Sequence, residues 1–163
     1  MIQLPPKGHD PGRESRLLLA ECRGPAQAGY NLSDATQCMQ LMDVVLWNRV
    51  DNPRPFLAKH PSLLAVITAP GQFQGFQSYP NYSHDIVIRI QQMIDIANNP
   101  KDPRHATHAS HVRAAIQVSE ANTIDDPSPD LVAWRTGGSS SPGPNFTFYR
   151  TVLGIDFYSV SAT

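Results

Sequence analysis

The sequence lacks a marked excess of either positive or negative charge. Thirteen Lys and Arg residues stand against 14 Asp and Glu residues, which gives a formal net charge of −1 at pH 7. A chain without an overall basic field does not gather phosphate groups. We therefore do not expect nucleic acid to be its partner.

The sequence also lacks long hydrophobic runs. No apolar segment reaches the roughly 18 residues of a membrane-spanning helix, and the N-terminal stretch MIQLPPKGHDPGRESR has no apolar core of signal-peptide length. We expect a protein that is made in the cytoplasm without a signal peptide and that does not insert into membranes. With 163 residues, 40% of them hydrophobic, the chain is long enough to bury one substantial core.

Cysteine is scarce, since Cys22 and Cys38 are the only two. A disulfide between them would close a loop of about 15 residues and contribute roughly 3 kcal/mol in the chain-entropy model. Two buried free thiols are the plainer interpretation. The sequence leaves both interpretations open.

The hydrophobic pattern predicts a mainly α-helical (α+β) fold. Residues 1–12 carry three prolines and two glycines, which indicates an extended lead-in, and residues 13–163 are expected to form one domain. A first helix follows, with four residues of one face spaced at i, i+3, i+4 and i+7, and it ends before a glycine and a proline. These four residues are Glu14, Leu17, Leu18 and Glu21.

A longer second helix is the clearest in the sequence, and we expect it to be the most buried. Ser33 or Asp34 is predicted to cap it. Further helices are expected near residues 62–68, over 86–97 and from Asp102 to Ile116. The apolar face of the second helix comprises Cys38, Leu41, Met42, Val45, Leu46 and Arg49.

The end of the chain has the alternating pattern of β-strands. Residues 131–134, 146–152 and 155–160 are rich in β-branched and aromatic residues. The last two runs are separated only by Leu153 and Gly154, which predicts a short hairpin.

Residues 71–82 form a loop rich in glycine, glutamine and aromatic residues, GQFQGFQSYPNY. These residue types stack on and hydrogen-bond to polar, ring-shaped ligands, which makes the loop a candidate binding segment.

Glu21 has the position that most favours chemistry. It lies near the C-terminal end of the first helix, beside two leucines, where the helix dipole and the apolar neighbours favour a protonated carboxyl. Such a carboxyl is suited to act as the general acid in glycosidic bond cleavage. The alternative is a plain salt bridge with Arg16, Arg23 or Arg49.

Several stretches, taken in order, resemble one family. The segments LLLAECRGP, MDVVLWNRVDNPRPF and LLAVITAPGQFQGF, with LGIDFY near the end, are similar to the spore-cortex-lytic type of cell-wall hydrolase. In that family an apolar helix runs into A-E-A-R-G-E and the next helix ends in V-x-L-N-R-V. A glutamine-phenylalanine step and a glycine-histidine-phenylalanine-tyrosine finish follow.

This resemblance implies a lysozyme-like helical domain with a small C-terminal β-hairpin, so that residues 13–163 would be a single catalytic domain. It implies that Glu21 acts as acid and then base on the glycan strand of peptidoglycan, as a muramidase or lytic transglycosylase. A lytic transglycosylase closes an anhydro ring with the muramyl C6 hydroxyl and requires neither a second carboxylate nor a cofactor.

A two-carboxylate hydrolase would need a second carboxylate about 5–9.5 Å from Glu21. Asp34, Asp43, Asp51 and Asp85 are available, but no spacing to Glu21 recommends any of them.

The resemblance extends to five further positions. Asn48 and Arg49 match N-R-V and would support the fold, although Arg49 could also orient Glu21. Gln72 and Phe73 match the glutamine-phenylalanine step. There Gln72 would donate to an acetamido or hydroxyl group, and Phe73 would line the groove or belong to the core. Tyr158 matches the final tyrosine and would lie either in the cleft or in the packing.

Three residues depart from the family pattern. Cys22 stands where the family has alanine, and Pro25 stands where it has an acidic residue. Asp156 lies near the position of the missing histidine.

Two other classes of function compete with this interpretation. Cys22 or Cys38 with a histidine could form a thiol-dependent peptidoglycan amidase or peptidase. The second alternative is a glycan-binding module that keeps the scaffold but has lost activity.

The spacing of His105, His108 and His111 does not favour a metal site, because the outer two lie about 120° apart around a helix. A solvated or capping role is expected for them.

A wall-cleaving enzyme without its own export signal suggests delivery by a secretion apparatus or release during phage lysis. We expect an antibacterial effector that acts in the periplasm or cell wall of a target cell. An inhibitor protein that protects the producing cell is an expected partner.

Overall fold

The structure, a computed structural model, describes residues 1–121 and 130–160. In this part of the chain five helices precede three strands, and the α+β class is confirmed. No helix within these ranges combines the length and apolarity needed to cross a bilayer. The elements are α1 (Asp10–Glu21), α2 (Leu32–Arg49), α3 (Leu63–Ile67), α4 (His84–Ala97), α5 (His105–Glu120), β1 (Leu131–Thr136), β2 (Phe146–Val152) and β3 (Ile155–Val160).

The N-terminal lead-in is shorter than predicted. Helix α1 begins at Asp10 with Pro11 in its first turn, where the missing N–H of proline costs no hydrogen bond, so residues 10–12 are helical. Gly12 lies so close to the preceding segment that a Cβ there would be 1.9 Å from the Pro6 carbonyl oxygen. The lead-in therefore packs directly on α1.

Helix α2 packs mainly against α5 and β1. Asn31 caps it instead of Ser33 or Asp34, because the Asn31 Oδ1 atom accepts a hydrogen bond from the Asp34 backbone N–H at 3.0 Å. The predicted apolar face is buried, and Cys38 and Leu46 have no exposed surface. Helix α5 packs against α1, α2 and α4, and β1 packs against α2.

The β-element is larger than the predicted hairpin. Strands β2 and β3 form that hairpin, and β1 adds to the other side of β3, giving an antiparallel sheet of order β1-β3-β2. Leu153 and Gly154 have φ values of +48° and +76°, as a two-residue turn with both central residues left-handed requires. This turn extends toward the end of α1.

The aromatic residues of the 71–82 loop contact one another more than they face solvent. Phe76, Tyr79 and Tyr82 are buried, and the Phe76 and Tyr82 rings stack with centroids 5.4 Å apart. These rings therefore pack mainly on one another, and the prediction that the loop binds a ligand stays a prediction. Burial of their apolar area fixes the loop against the helices.

Candidate functional site

Two cavities meet at the C-terminal end of α1. The larger has a volume of about 410 Å³ and the smaller about 310 Å³, and both are lined by Ala20, Glu21 and Arg89. The larger cavity continues between the α1–α2 connection, α4, α5 and the β2–β3 turn. The smaller continues along residues 74–76 and the start of α4. Glu21 thus lies at the junction of a continuous concave surface.

The Glu21 carboxyl is half-buried at this junction. Burial raises its pKa above the ordinary value, and the positive charge of Arg89 partly opposes that shift. Arg89 is held in place by a hydrogen bond from its Nη2 atom to the Ala20 carbonyl oxygen at 3.2 Å. The carboxyl therefore retains its proton to a higher pH than a solvated glutamate and faces open space on two sides.

The salt-bridge alternatives for Glu21 are not formed in the described part of the chain, where the ion pairs are Arg13–Asp10, Arg54–Asp130 and Arg104–Asp102. Arg16 donates to backbone carbonyls of the N-terminal region, and Arg49 donates to the Val132 carbonyl oxygen at 2.5 Å. The charged neighbour of Glu21 is instead Arg89, which sequence spacing did not indicate.

Arg23 lines the larger cavity from the α1–α2 connection. Its Nη1 atom donates to the Ala28 carbonyl oxygen at 2.9 Å. Two glycines make room for its guanidinium, because a Cβ on Gly154 would lie 2.8 Å from Nη2 and one on Gly29 would lie 3.3 Å from Nη1. Both glycines also have positive φ values, +76° and +78°, so the local backbone and the Arg23 position favour glycine for separate reasons.

The smaller cavity is lined by different chemistry. Gln74, Ser83 and Asp85 supply polar groups, and Phe76 supplies an apolar wall. Gly75 allows the loop to approach α4, because a Cβ there would lie 2.7 Å from Ile86 Cδ1. The sequence motif suggested Gln72 as the glutamine of the binding groove, but the structure has Gln74 in the wall of the smaller cavity.

Asn48, Arg49 and Gln72 do not line either cavity. Asn48 Nδ2 donates to the Leu131 carbonyl oxygen at 2.9 Å, so it joins α2 to β1. Arg49 joins the same two elements and also donates from Nη1 to Gln72 Oε1 at 2.7 Å. These contacts fit the structural role predicted for the asparagine and arginine, and they give Gln72 a protein partner instead of a sugar.

Phe73 and Tyr158 are packing residues in the structure. Phe73 is 6% exposed and lies against the Trp134 ring, with centroids 5.1 Å apart. Tyr158 is also 6% exposed and meets the edge of Phe148, with centroids 6.0 Å apart. Of the two options left open for each residue, the structure places both in the packing.

Asp156 does not replace the missing histidine beside Glu21. It is buried in β3, where its carboxylate accepts hydrogen bonds from Thr151 Oγ1 at 2.5 Å and from the Gly138 backbone N–H at 3.1 Å. The Gly138 bond holds the β1–β2 connection to β3, and the Thr151 bond joins β2 to β3.

Cys22 and Cys38 are buried free thiols in the structure. A hydrogen bond with Cys38, together with burial, raises the pKa of Cys22 well above its ordinary value. Its sulfur also lies 3.7 Å from Met42 Sδ. A thiol with a raised pKa remains uncharged at neutral pH, which suits packing and opposes a nucleophilic role.

The histidines of α5 have different environments from those expected. His108 and His111 are buried rather than solvated. His111 Nδ1 lies 2.9 Å from the Tyr30 hydroxyl, and burial lowers the pKa of His111 to about 4. His108 lines the larger cavity, while its Nδ1 atom is 3.1 Å from the Arg104 carbonyl oxygen.

Among the described residues, no group of three or more His, Cys, Asp or Glu side chains is arranged to hold a metal ion.

Comparison with protein-family models, curated proteins and solved structures finds no match for this chain. The functional interpretation therefore rests on the motif resemblance and on the residues and geometry of the two cavities.

Proposed function

We propose that this protein cleaves the glycan strand of peptidoglycan, with Glu21 as the catalytic acid and base. The observation that carries the proposal is the position of a glutamate with a raised pKa at the junction of two cavities. A linear polymer lying across both cavities would place one of its linkages beside that carboxyl. The lysozyme-like architecture implied by the sequence resemblance is part of the same proposal.

The proposed reaction needs one carboxyl group. Protonated Glu21 donates its proton to the glycosidic oxygen as the bond to the muramyl C1 atom breaks. The carboxylate then accepts the proton of the muramyl C6 hydroxyl, whose oxygen bonds to C1 and closes the anhydro ring. The proton is returned to Glu21, so the reaction requires no cofactor and consumes no water.

The cysteine-dependent alternative receives less support. Cys22 reaches the larger cavity, but it is only 4% exposed and the pKa of its thiol is raised. A nucleophilic cysteine needs the opposite shift. A non-catalytic glycan-binding module would use the same cavities, and it differs from the proposal only in lacking turnover.

We further propose that the protein is an antibacterial effector or lysis enzyme that reaches the periplasm or cell wall of a target cell through a secretion apparatus or at lysis. An inhibitor protein that covers the Glu21 junction would protect the producing cell. Directing the protein to the periplasm should then lyse cells, and Glu21→Gln should not. Survival of cells producing wild-type protein there, without sacculus binding by the purified protein, would remove this proposal.

Mass spectrometry of purified sacculi after incubation tests the reaction itself. Wild-type protein should release anhydromuramyl products, and Glu21→Gln should reduce their yield by about 100-fold or more, because the amide keeps the shape and lacks the acid. Glu120→Gln is the matched control, since Glu120 is exposed at the end of α5. Freed peptides from all three proteins would favour the cysteine alternative, and tight binding without products would favour the non-catalytic one.

A further inference from the structure

The two cavities beside Glu21 differ in charge. Arg23, Arg89 and Arg104 all line the larger cavity, and among its described lining residues Glu21 is the only carboxyl. The smaller cavity has one arginine, Arg89, against the carboxyls of Glu21 and Asp85. With three arginines against one carboxyl among its described lining residues, the larger cavity carries a net positive charge.

Arg23 is the cation best arranged to receive a ligand. Arg104 is already engaged by Asp102 through two hydrogen bonds of 3.0 and 2.8 Å. Arg23 forms no ion pair in the described part of the chain, and its one hydrogen bond, to the Ala28 carbonyl oxygen, occupies one of five guanidinium donors. The guanidinium lies against Gly29 and Gly154, where no side chain covers it. A planar fork of donors matches the geometry of a carboxylate.

The remaining wall of the larger cavity combines polar side chains, among them Gln27, Gln92 and Thr136, with apolar ones. Met93, Ile96, Leu153 and Ile155 line it beside the arginines. Apolar groups next to a carboxylate-binding fork suit a short aliphatic peptide that carries free carboxylates.

We propose that the larger cavity binds the carboxylate-bearing peptide attached to the muramyl residue, with Arg23 as its main anchor. This inference rests on the proposed glycan-cleaving function and deepens it by naming the preferred substrate. Peptide-bearing strands are then cleaved in preference to bare glycan. The strand also binds in one direction, with the peptide-bearing sugar on the Arg23 side of Glu21.

The test compares kcat/KM on two substrates, intact glycan strands with peptides and strands from which an amidase has removed them. Wild-type protein should prefer peptide-bearing strands by about tenfold, the effect of one charge-assisted contact. Arg23→Gln should bring the ratio of the two constants close to one, and Arg23→Lys should leave an intermediate ratio. Arg113→Gln, an exposed substitution on α5 outside both cavities, should keep the wild-type ratio.

The ratio protects the test from folding effects, because both constants come from the same preparation and a loss of folded protein cancels. A wild-type ratio near one, or a ratio that Arg23→Gln leaves unchanged, would overturn the peptide site while the glycosidase proposal stands. Failure to cleave either substrate would overturn the glycosidase proposal and the peptide site with it.

Discussion

Glu14 on helix α1 and Asp43 on helix α2 are neighbouring buried carboxyl groups. Glu14 is 1% exposed, and burial together with the neighbouring Asp43 raises its pKa to about 10. Trp47 Nε1 donates to Glu14 Oε2 at 3.4 Å. Glu14 is thus protonated at neutral pH, and burial also raises the pKa of Asp43. Helix α1 carries two acids with raised pKa values, one sealed in the core and one, Glu21, facing the cavities.

The buried acid makes stability depend on pH. The folded state keeps the Glu14 proton to about pH 10, whereas the unfolded chain releases it near pH 4.5. The contribution of this proton to stability is therefore complete below about pH 4.5 and decreases as the pH rises toward 10. We expect Glu14→Gln, which mimics the protonated acid, to raise the free energy of unfolding at pH 8 by on the order of 1–3 kcal/mol.

Urea denaturation at a series of pH values measures this effect. Glu14→Gln should have a flatter dependence on pH than wild type between about pH 5 and 9. Glu120→Gln, which changes an exposed carboxyl, should follow the wild-type curve. Parallel curves for wild type and Glu14→Gln would contradict the assigned protonation.

Arg89 affects the pKa of the Glu21 carboxyl. Its positive charge lowers the pKa that burial raises, so Arg89→Gln should raise the pKa of Glu21 further. The general acid would then stay protonated to higher pH, and the alkaline limb of the kcat/KM profile should move to higher pH. Arg113→Gln should leave the profile in place, and a shift toward acid in Arg89→Gln would be inconsistent with this assignment.

Asp85 distinguishes the two ways of cleaving the glycan. It lines the smaller cavity together with Glu21, so it is the carboxylate available to activate water. If the anhydro-ring reaction operates, Asp85→Asn should change kcat by less than about fivefold. Product analysis and kinetics of Asp85→Asn and of Asp95→Asn, an exposed control on the same helix, measure this. A loss of about 100-fold confined to Asp85→Asn, with reducing-end products in wild type, would assign hydrolysis.

Phe73 should affect stability and not sugar binding. Because it is buried against Trp134, Phe73→Ala should cost about 3 kcal/mol of unfolding free energy. Phe148→Ala is the comparison, since Phe148 is 56% exposed and its truncation should cost less than about 1 kcal/mol. Thermal unfolding gives both values. A large rise in KM for Phe73→Ala without loss of stability would instead assign Phe73 to sugar binding in the groove.

Local patterns were sufficient for much of the fold. The spacing of apolar residues predicted α1 and α2, and the two residues Leu153 and Gly154 predicted the hairpin turn, because periodicity and turn chemistry act over a few neighbouring positions. The first turn of α1 and the Asn31 cap differed from prediction. Such boundaries depend on competing local hydrogen bonds and on packing of the preceding segment.

Most residues that surround Glu21 in the candidate site could be identified only from the tertiary structure. The sequence alone predicted that the Glu21 carboxyl would favour its proton, because a helix end and apolar neighbours are local features. Its partner Arg89 lies 68 positions away on α4, and Gln74 rather than Gln72 lines the smaller cavity. Only the packing of α4, α5 and the hairpin turn around the end of α1 decides which side chains face the cavities. Those contacts join residues distant in the chain, and no local spacing encodes them.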